Sequence, residues 1–537
     1  MKLVEKKQNV KKKEGMSEFL AEMEQNVVFI YLFCMLGIFP LWYKQAYSKI
    51  GSVKFEFFWN VSLVFIGVSI IFLLIKVVWQ KGNYIKNILS NLSFLDYAVL
   101  AYALCVILSY AFSDYKEFAL KGAAGWEMGL GSQLIFIVLY FILSKQEDVY
   151  TLTLGVHLVA SALTFAFGIL HRFQIDPLGM YEGLTLGQKV EFLSTIGQAT
   201  WFSSYICTVF AAGVILFYVS KKKWVRIVSG IYSVLSFAIL VTQNSDSAFL
   251  ALVGIVLLLG YFSLSDIEKW CRFWEIVCLM WGTFAGIGLL QRIFADQAIV
   301  LDTLSVFFSQ SIVIWILLAV SLGIFFFYSN KKKQGNIQIM KPTKYIYNGI
   351  LVLLVAAIIA AVILIYLNTK GYLLDWFGYQ STNMYLLFND YWGNHRGFNW
   401  SVAVEGYAEM PFLNKLFGVG PDSFSEYLYN IPSMAERLSN YYTNLRLTNA
   451  HNEFLNSLVC YGIVGLVSWL TVLIGGIVYF YKKAKENPFM IAFALCIIGY
   501  VCHNIFCYQQ VCCTPFLFIV LGIGECLTKS EKFNTIK

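Results

Sequence analysis

Apolar segments long enough to cross a membrane recur along the chain, separated mostly by short polar connections. Continuous apolar stretches such as 61–78 and 351–367 approach the roughly 20 residues that a transmembrane helix needs. A β-barrel would show short alternating segments, and lipid accommodates only helices or closed barrels. The pattern predicts an all-α polytopic membrane protein with about 14 transmembrane helices, at residues 26–43, 57–79, 95–112, 129–144, 151–171, 195–219, 225–243, 247–264, 271–294, 309–328, 346–367, 454–480, 489–506 and 510–526.

One polar connection, residues 368–449, is far longer than the others. Loops of this length are usually functional or disordered, and its many Trp, Tyr and Phe residues argue against disorder. Residues 397–410 contain no helix breaker except Gly406 and stop at Pro411, while Pro421 stands where a new helix would start. We therefore predict a small helical cap.

The basic residues indicate which way the chain crosses the membrane. The most basic connections, 221–226 and 331–333, fall on the same side as both termini, and Lys and Arg collect on the cytoplasmic side. We therefore expect both termini inside and the cap outside the cytoplasmic membrane. The predicted parts are a cytoplasmic tail (1–25), spans 1–11 (26–367), the large extracytoplasmic loop (368–449), spans 12–14 (450–526) and a second cytoplasmic tail (527–537).

The composition and the motifs argue against several other interpretations of the chain, including a soluble, a nucleic-acid-binding and a metal-binding protein. The chain is 58% hydrophobic and only 13% charged, outside the range of soluble globular proteins. Its net charge of +8 comes from lysines in short loops, so it reflects orientation and not nucleic-acid binding. Many of the 12 cysteines lie in apolar runs as small hydrophobic residues, and the spacing of those between 502 and 513 does not fit a metal site. No nucleotide-binding fingerprint is present, and we expect neither metal nor cofactor.

The stretch after the cap carries the best candidate chemistry. His451 lies where the cap enters span 12, and a histidine can accept a proton near neutral pH. Asn452 could hydrogen-bond a sugar hydroxyl or orient the ring. On a helix with 3.6 residues per turn, Leu455, Gly462 and Gly465 would share a face with His451, where the glycines would let a neighbouring helix approach closely. A purely structural histidine is the alternative.

His-Asn, nine residues, then Gly-x-x-Gly resembles the signature of the O-antigen ligase and polymerase superfamily. It covers His451, Asn452, Gly462 and Gly465. Other pieces also resemble this superfamily: the Arg-x-x-x-Trp helix at Arg396 and Trp400, the turn from Pro411 to Gly418-Val419-Gly420, and segments 176–179 and 194–198, which are similar to Gram-positive-type members.

The resemblance implies a metal-independent enzyme on the outer face of the cytoplasmic membrane. Such enzymes transfer an undecaprenyl-diphosphate-linked oligosaccharide to an acceptor glycan. His451 would take the proton from the acceptor hydroxyl, and Arg396 would stabilise the leaving diphosphate, because arginine stays charged and binds oxygens in pairs. Asn452 and Trp400 are expected to bind substrate. The resemblance gives structural roles to Gly418, Gly420, Gly462 and Gly465.

One motif departs from the superfamily. An arginine usually follows a serine at the outer start of a mid-chain span, but residues 243–247 here read Gln-Asn-Ser-Asp-Ser. Arg172 and Arg446 are the substitutes we consider for the second phosphate ligand. Asp246 could pair with one of them or bind acceptor hydroxyls.

The preferred interpretation is a repeat-unit polymerase for capsular or other envelope polysaccharide. The first alternative is an O-antigen-type ligase that moves the glycan to a lipid, wall or protein acceptor. A flippase or other transporter of lipid-linked oligosaccharides would have a similar number of spans, but it should carry charges deep within them. A non-catalytic assembly partner is the third alternative. Besides its substrates and membrane lipid, a chain-length regulator or flippase would be an expected partner, and nucleic acid would not.

Overall fold

A computed structural model describes residues 18–79, 83–383 and 385–530. Residues 1–17 and 531–537, which hold most of the two predicted tails, lie outside the described residues. The described chain is helical apart from one two-stranded antiparallel sheet, in which β1 (Phe192–Leu193) pairs with β2 (Gly197–Gln198). Its helices are α1 (Glu18–Leu41), α2 (Ile50–Trp79), α3 (Asn83–Ser90), α4 (Phe94–Phe112), α5 (Lys116–Lys121), α6 (Leu130–Ser144), α7 (Leu152–Arg172), α8 (Leu186–Glu191), α9 (Ala199–Val219), α10 (Lys223–Thr242), α11 (Ser247–Ser263), α12 (Ile267–Ile293), α13 (Thr303–Gln310), α14 (Ile312–Lys333), α15 (Lys341–Thr369), α16 (Tyr372–Phe377), α17 (Trp392–Glu409), α18 (Phe412–Phe417), α19 (Phe424–Tyr429), α20 (Pro432–Tyr441), α21 (Glu453–Lys483), α22 (Pro488–His503) and α23 (Thr514–Leu527).

The apolar helices coincide with the segments predicted from the sequence. Ten in the described chain are long and apolar enough to cross a membrane, namely α1, α2, α4, α7, α9, α10, α12, α14, α15 and α21. Four shorter apolar helices, α6, α11, α22 and α23, account for the remaining predicted spans. The prediction of an all-α polytopic membrane protein is confirmed.

The centre of the bundle is built around α21, which packs against α4 and α22. Trp469 of α21 is fully buried, with its ring 4.7 Å from that of Tyr102 on α4 and stacked on Phe518 of α23. These large side chains fix the relative positions of three helices. The helix end that bears the candidate chemistry is therefore held by the most tightly packed part of the protein.

The long connection forms the helical cap that the sequence predicts, with α16–α20 as its helices. One detail differs, because α19 starts at Phe424 and not at Pro421. Asp422 has a left-handed backbone (φ 54°), which interrupts a right-handed helix. Its buried carboxylate instead accepts the backbone N–H groups of Ala123 at 2.8 Å and Met128 at 3.2 Å. This contact ties the cap to the connection between α4 and α6.

A second contact fastens the cap to α21 through backbone atoms. The N–H groups of Val419 and Gly420 donate to the carbonyl oxygens of Val459 and Cys460 at 3.2 and 3.1 Å. Those carbonyls are free to accept because α21 is interrupted at Gly462, whose φ is 69°. Gly462 therefore creates a break in α21, and the cap turn at residues 418–420 pairs with the carbonyl groups that precede this break.

This break corrects the helical-face prediction. His451 precedes α21, with a left-handed φ of 50°, and Gly462 is not helical, so His451, Gly462 and Gly465 do not lie along one continuous helical face. The close neighbour at Gly462 is cap backbone and not another transmembrane helix, since an added Cβ would meet the Leu416 carbonyl oxygen at 2.3 Å. A left-handed residue inside an apolar run cannot be identified from residue spacing.

Gly418→Ala is expected to destabilise the protein by about 2–4 kcal/mol, because Gly418 has a φ of 77° and an added Cβ would lie 2.1 Å from the Cys460 carbonyl oxygen. Thermal unfolding of purified protein measures the loss. Gly349→Ala is the matched control, because Gly349 lies in α15 with nothing within 4 Å of an added Cβ. Equal melting temperatures for the two variants would show that the cap turn does not need its glycine.

Candidate functional site

A cavity of about 960 Å³ opens between the cap and helices α11, α12 and α13. One end is polar and includes Asp246, Asp302 and Arg396, while the rest is lined by apolar side chains such as Leu257 and Phe284. Ser247 and Leu257 both line it, so the cavity follows α11 for ten residues, or about 15 Å. An anionic headgroup with a long apolar tail fits this division.

Arg396 reaches the polar end because of unusual backbone geometry. Gly393, Asn394 and His395 all have positive φ, between 58° and 67°, at the start of α17. Left-handed non-glycine residues cost of order 1–3 kcal/mol each and cluster at functional sites. The Arg396 guanidinium donates to the carbonyl oxygens of Gly393 at 2.8 Å and Phe506 at 3.0 Å. Its Nε has no partner among the described residues, and burial lowers its pKa.

His451 has a ring that is free to act on a substrate. Its backbone N–H donates to Asn449 Oδ1 at 3.0 Å, and its ring meets Tyr508 edge-on, with the centroids 5.3 Å apart. In the described chain, no residue hydrogen-bonds either ring nitrogen. Burial lowers the pKa of His451 to about 4, and the positive charge of Arg396 acts in the same direction. The imidazole is therefore neutral near pH 7, as a proton acceptor must be.

A short segment between α22 and α23 supports both residues. Phe506 accepts the Arg396 hydrogen bond, and Tyr508, two residues later, contacts His451. Asn504 fixes the start of this segment, since its Nδ2 donates to the buried carboxylate of Glu453 and its carbonyl oxygen accepts the Glu453 N–H at 3.0 Å. One buried carboxylate thus couples the positions of the cation and the base.

Asn452 and Trp400, which were expected to bind substrate, make contacts that stabilise the structure around His451 and Arg396. Asn452 caps α21, because its Oδ1 accepts the N–H groups of Phe454 and Leu455 at 2.9 Å. Trp400 stacks on Phe506 at 5.8 Å, behind the carbonyl that binds Arg396, and it does not line the cavity. Any substrate contact of Asn452 would use its NH₂ group, since its oxygen is engaged in capping.

The two arginines considered as second phosphate ligands lie elsewhere. Arg172 is fully buried and donates to four backbone carbonyl oxygens, those of Lys189, Val190, Thr242 and Gln243. Arg446 pairs with Glu426 at 2.8 Å and bonds Ser425. Neither lines the cavity.

Asp246 does lie in the cavity, together with a residue that sequence reasoning missed. Asp302 stands next to it, and burial together with this second carboxyl raises the pKa of Asp246, against the effect of Arg396. Asn244 holds the two loops together, since its Oδ1 accepts the Asp302 N–H at 3.1 Å. Nothing in the sequence spacing links positions that are 56 residues apart.

The fold and the site define a polytopic membrane protein with a docked cap, a cavity-lining arginine, and a histidine whose ring has no hydrogen-bond partner among the described residues. Residues 297–470 match the family model described as O-antigen ligase. This match confirms the predicted resemblance to the O-antigen ligase and polymerase superfamily, and it supports, in general terms, a membrane enzyme of the ligase or polymerase type with lipid-linked glycan substrates. The matched range includes Arg396, Asp302 and His451. A search of curated proteins finds no match.

Proposed function

We propose that the protein is a polysaccharide repeat-unit polymerase of the cytoplasmic membrane. It transfers a glycan from undecaprenyl diphosphate to a hydroxyl of an acceptor sugar. The observation that carries this proposal is the neutral ring of His451, which has no hydrogen-bond partner among the described residues. It lies in the electrostatic field of Arg396, which lines a cavity with one polar and one apolar end. Polymerase is preferred to ligase by the resemblance alone.

The chemistry is a single displacement. His451 accepts the proton of the acceptor hydroxyl while the hydroxyl oxygen attacks the anomeric carbon. The bond from that carbon to the diphosphate oxygen breaks, and undecaprenyl diphosphate leaves with the electron pair, so the anomeric configuration inverts. Bound diphosphate brings negative charge near His451 and raises its pKa from about 4 towards neutrality, where a general base works best.

Arg396 stabilises the charge that grows on the leaving diphosphate. Its Nε is buried without a partner among the described residues, so a phosphate oxygen would satisfy it, and burial strengthens such an interaction. The apolar walls contributed by α11 and α12 accept the first part of the isoprenoid tail. Asp246 and Asp302 line the polar end of the cavity beside the donor and accept hydrogen bonds from sugar hydroxyls.

The proposed orientation follows from the distribution of basic residues. Both termini face the cytoplasm, and the cap with His451 faces outwards. Donor units then arrive on the outer leaflet after translocation by a flippase, and a chain-length regulator is a natural partner.

Reconstitution tests this function. Purified protein in vesicles that contain its lipid-linked repeat unit should produce glycans of several units together with free undecaprenyl diphosphate. A ligase would attach the glycan once to a different acceptor when that acceptor is supplied. A transporter would move the donor across the vesicle membrane without forming a glycosidic bond. Either of these two results, without multi-unit glycans, would contradict the polymerase proposal.

A further inference from the structure

Two tryptophans, Trp126 and Trp201, pack around Tyr508, the residue that contacts His451. Tyr508, which meets the histidine ring, has the ring of Trp126 at 4.9 Å in an edge-on contact. Trp126 in turn meets Trp201 at 5.3 Å, and Trp201 Nε1 donates to the Tyr508 hydroxyl at 3.3 Å. Both tryptophans are partly exposed. Partly exposed indole faces suit the apolar faces of sugar rings.

A carboxylate with unused hydrogen-bonding capacity follows Trp126 in the chain. Glu127 Oε1 accepts the Gly125 N–H at 3.1 Å, whereas its Oε2 is buried without a partner among the described residues. A buried carboxylate oxygen without a donor is costly unless a ligand supplies one. A Cβ added at Gly125 would meet no atom within 4 Å, so there is open space beside the backbone two residues before Glu127.

The segment that carries Trp126 and Glu127 is held in an unusual conformation. Gly122, Gly125 and Glu127 have φ of 91°, 90° and 45°. Both ends of the segment are fixed by the cap, because Asp422 accepts the N–H groups of Ala123 and Met128. Of the three, only Glu127 is strained, since glycine adopts positive φ freely, and strained residues that distant contacts hold in place cluster at ligand-binding sites.

The position of this aromatic group complements the donor cavity. Thr200 lines the cavity, whereas its neighbour Trp201 at the start of α9 faces Trp126 and Tyr508. His451 contacts Tyr508, and the positive charge of Arg396, which lines the cavity proposed for the donor, lowers the pKa of His451. A general base between two sugars needs this arrangement, with the leaving group on one side and the hydroxyl on the other.

We propose that Trp126, Trp201, Tyr508 and Glu127 form the acceptor subsite. The non-reducing sugar of the acceptor glycan stacks on the tryptophans, and the free oxygen of Glu127 accepts one of its hydroxyl groups. The reacting hydroxyl is then directed towards His451. This assignment rests on the proposed transferase function and adds to it where the acceptor binds.

Binding of the acceptor alone tests the subsite. The probe is the repeat-unit oligosaccharide released by mild acid from the cell's own lipid-linked pool. It is titrated by calorimetry into purified His451→Asn protein, in which turnover is expected to be strongly slowed. Trp126→Ala in this background is expected to weaken binding at least tenfold, and Glu127→Gln a few-fold. Trp126→Phe should restore most of the loss, because an aromatic face remains. Trp224→Ala is the control, since Trp224 is 68% exposed at the far end of α10.

The outcomes separate this proposal from the function on which it rests. Unchanged oligosaccharide binding in folded Trp126→Ala and Glu127→Gln proteins overturns the subsite, even if the wild type polymerises. Failure of the wild type to form glycosidic bonds overturns the function instead. If Trp126→Ala does not fold, the Trp126→Phe and Glu127→Gln titrations decide, because wild-type affinity in Glu127→Gln contradicts a role for its carboxylate.

Discussion

Replacing His451 is expected to leave single repeat units on the lipid carrier and to lower the rate of polymerisation by about 10²–10⁴-fold, which is the usual contribution of a general base. His451→Asn is the sharper variant, because asparagine tolerates the left-handed backbone at this position better than alanine. The measurement is the length distribution of surface polysaccharide, and initial rates in vesicles give the magnitude.

Two controls make the His451 result interpretable. Membrane abundance and melting temperature should match the wild type in His451→Asn, since no described residue hydrogen-bonds the ring. His451→Ala should combine the catalytic loss with a lower melting temperature, because it also strains the backbone. Long chains of normal distribution from a folded His451→Asn protein would remove His451 from the mechanism and favour the transporter or assembly-partner alternatives.

Arg396→Gln is expected to lower kcat/KM by about 10²–10³-fold, the usual cost of removing one donor that stabilises transition-state charge. Arg396→Lys should recover only part of the rate, because lysine cannot reproduce the planar fork that donates to the carbonyl oxygens of Gly393 and Phe506. Arg446→Gln is the matched control, since Arg446 is a cap arginine that does not line the cavity. Equal losses in Arg396→Gln and Arg446→Gln would contradict a specific role for Arg396.

Arg396→Gln is also expected to change the pH dependence of kcat/KM. In the free wild-type enzyme His451 has a pKa of about 4, so kcat/KM should be flat near neutrality and fall only as the pH approaches that value. Arg396 contributes to this low pKa through its positive charge. Arg396→Gln should therefore raise the pKa and move the acid limb of the profile to higher pH. An acid limb that stays in place would show that the two side chains do not interact.

The sequence predicts those features that depend on local pattern. The apolar runs locate every spanning helix because hydrocarbon requires continuous apolar segments, and Pro411 marks the end of the first long cap helix. His451 and Arg396 were identified through motif position. Their mutual arrangement depends on Phe506 and Tyr508, which lie outside the motifs and reach the site only through tertiary packing.

Other site features could not be predicted because they arise from long-range contacts or from left-handed backbone. Arg172 was considered as a phosphate ligand because it lies at the outer end of a predicted span. Its guanidinium instead donates hydrogen bonds to four carbonyl oxygens of segments distant in sequence. Asp302 and Glu127 carry no sequence signal at all. The bend at residues 393–395 carries a weak sequence signal, since Gly and Asn tolerate positive φ better than most residues.

The backbone pairing between residues 418–420 and α21 has a kinetic consequence. Main-chain hydrogen bonds on one side and Asp422 on the other hold the cap at residues 418–422. We therefore expect the proposed lipid donor to enter sideways from the leaflet, so that its effective concentration is its mole fraction in the bilayer. Adding inert phospholipid at constant total donor should slow the enzyme by surface dilution, whereas diluting the whole vesicle suspension should leave the turnover of each enzyme unchanged.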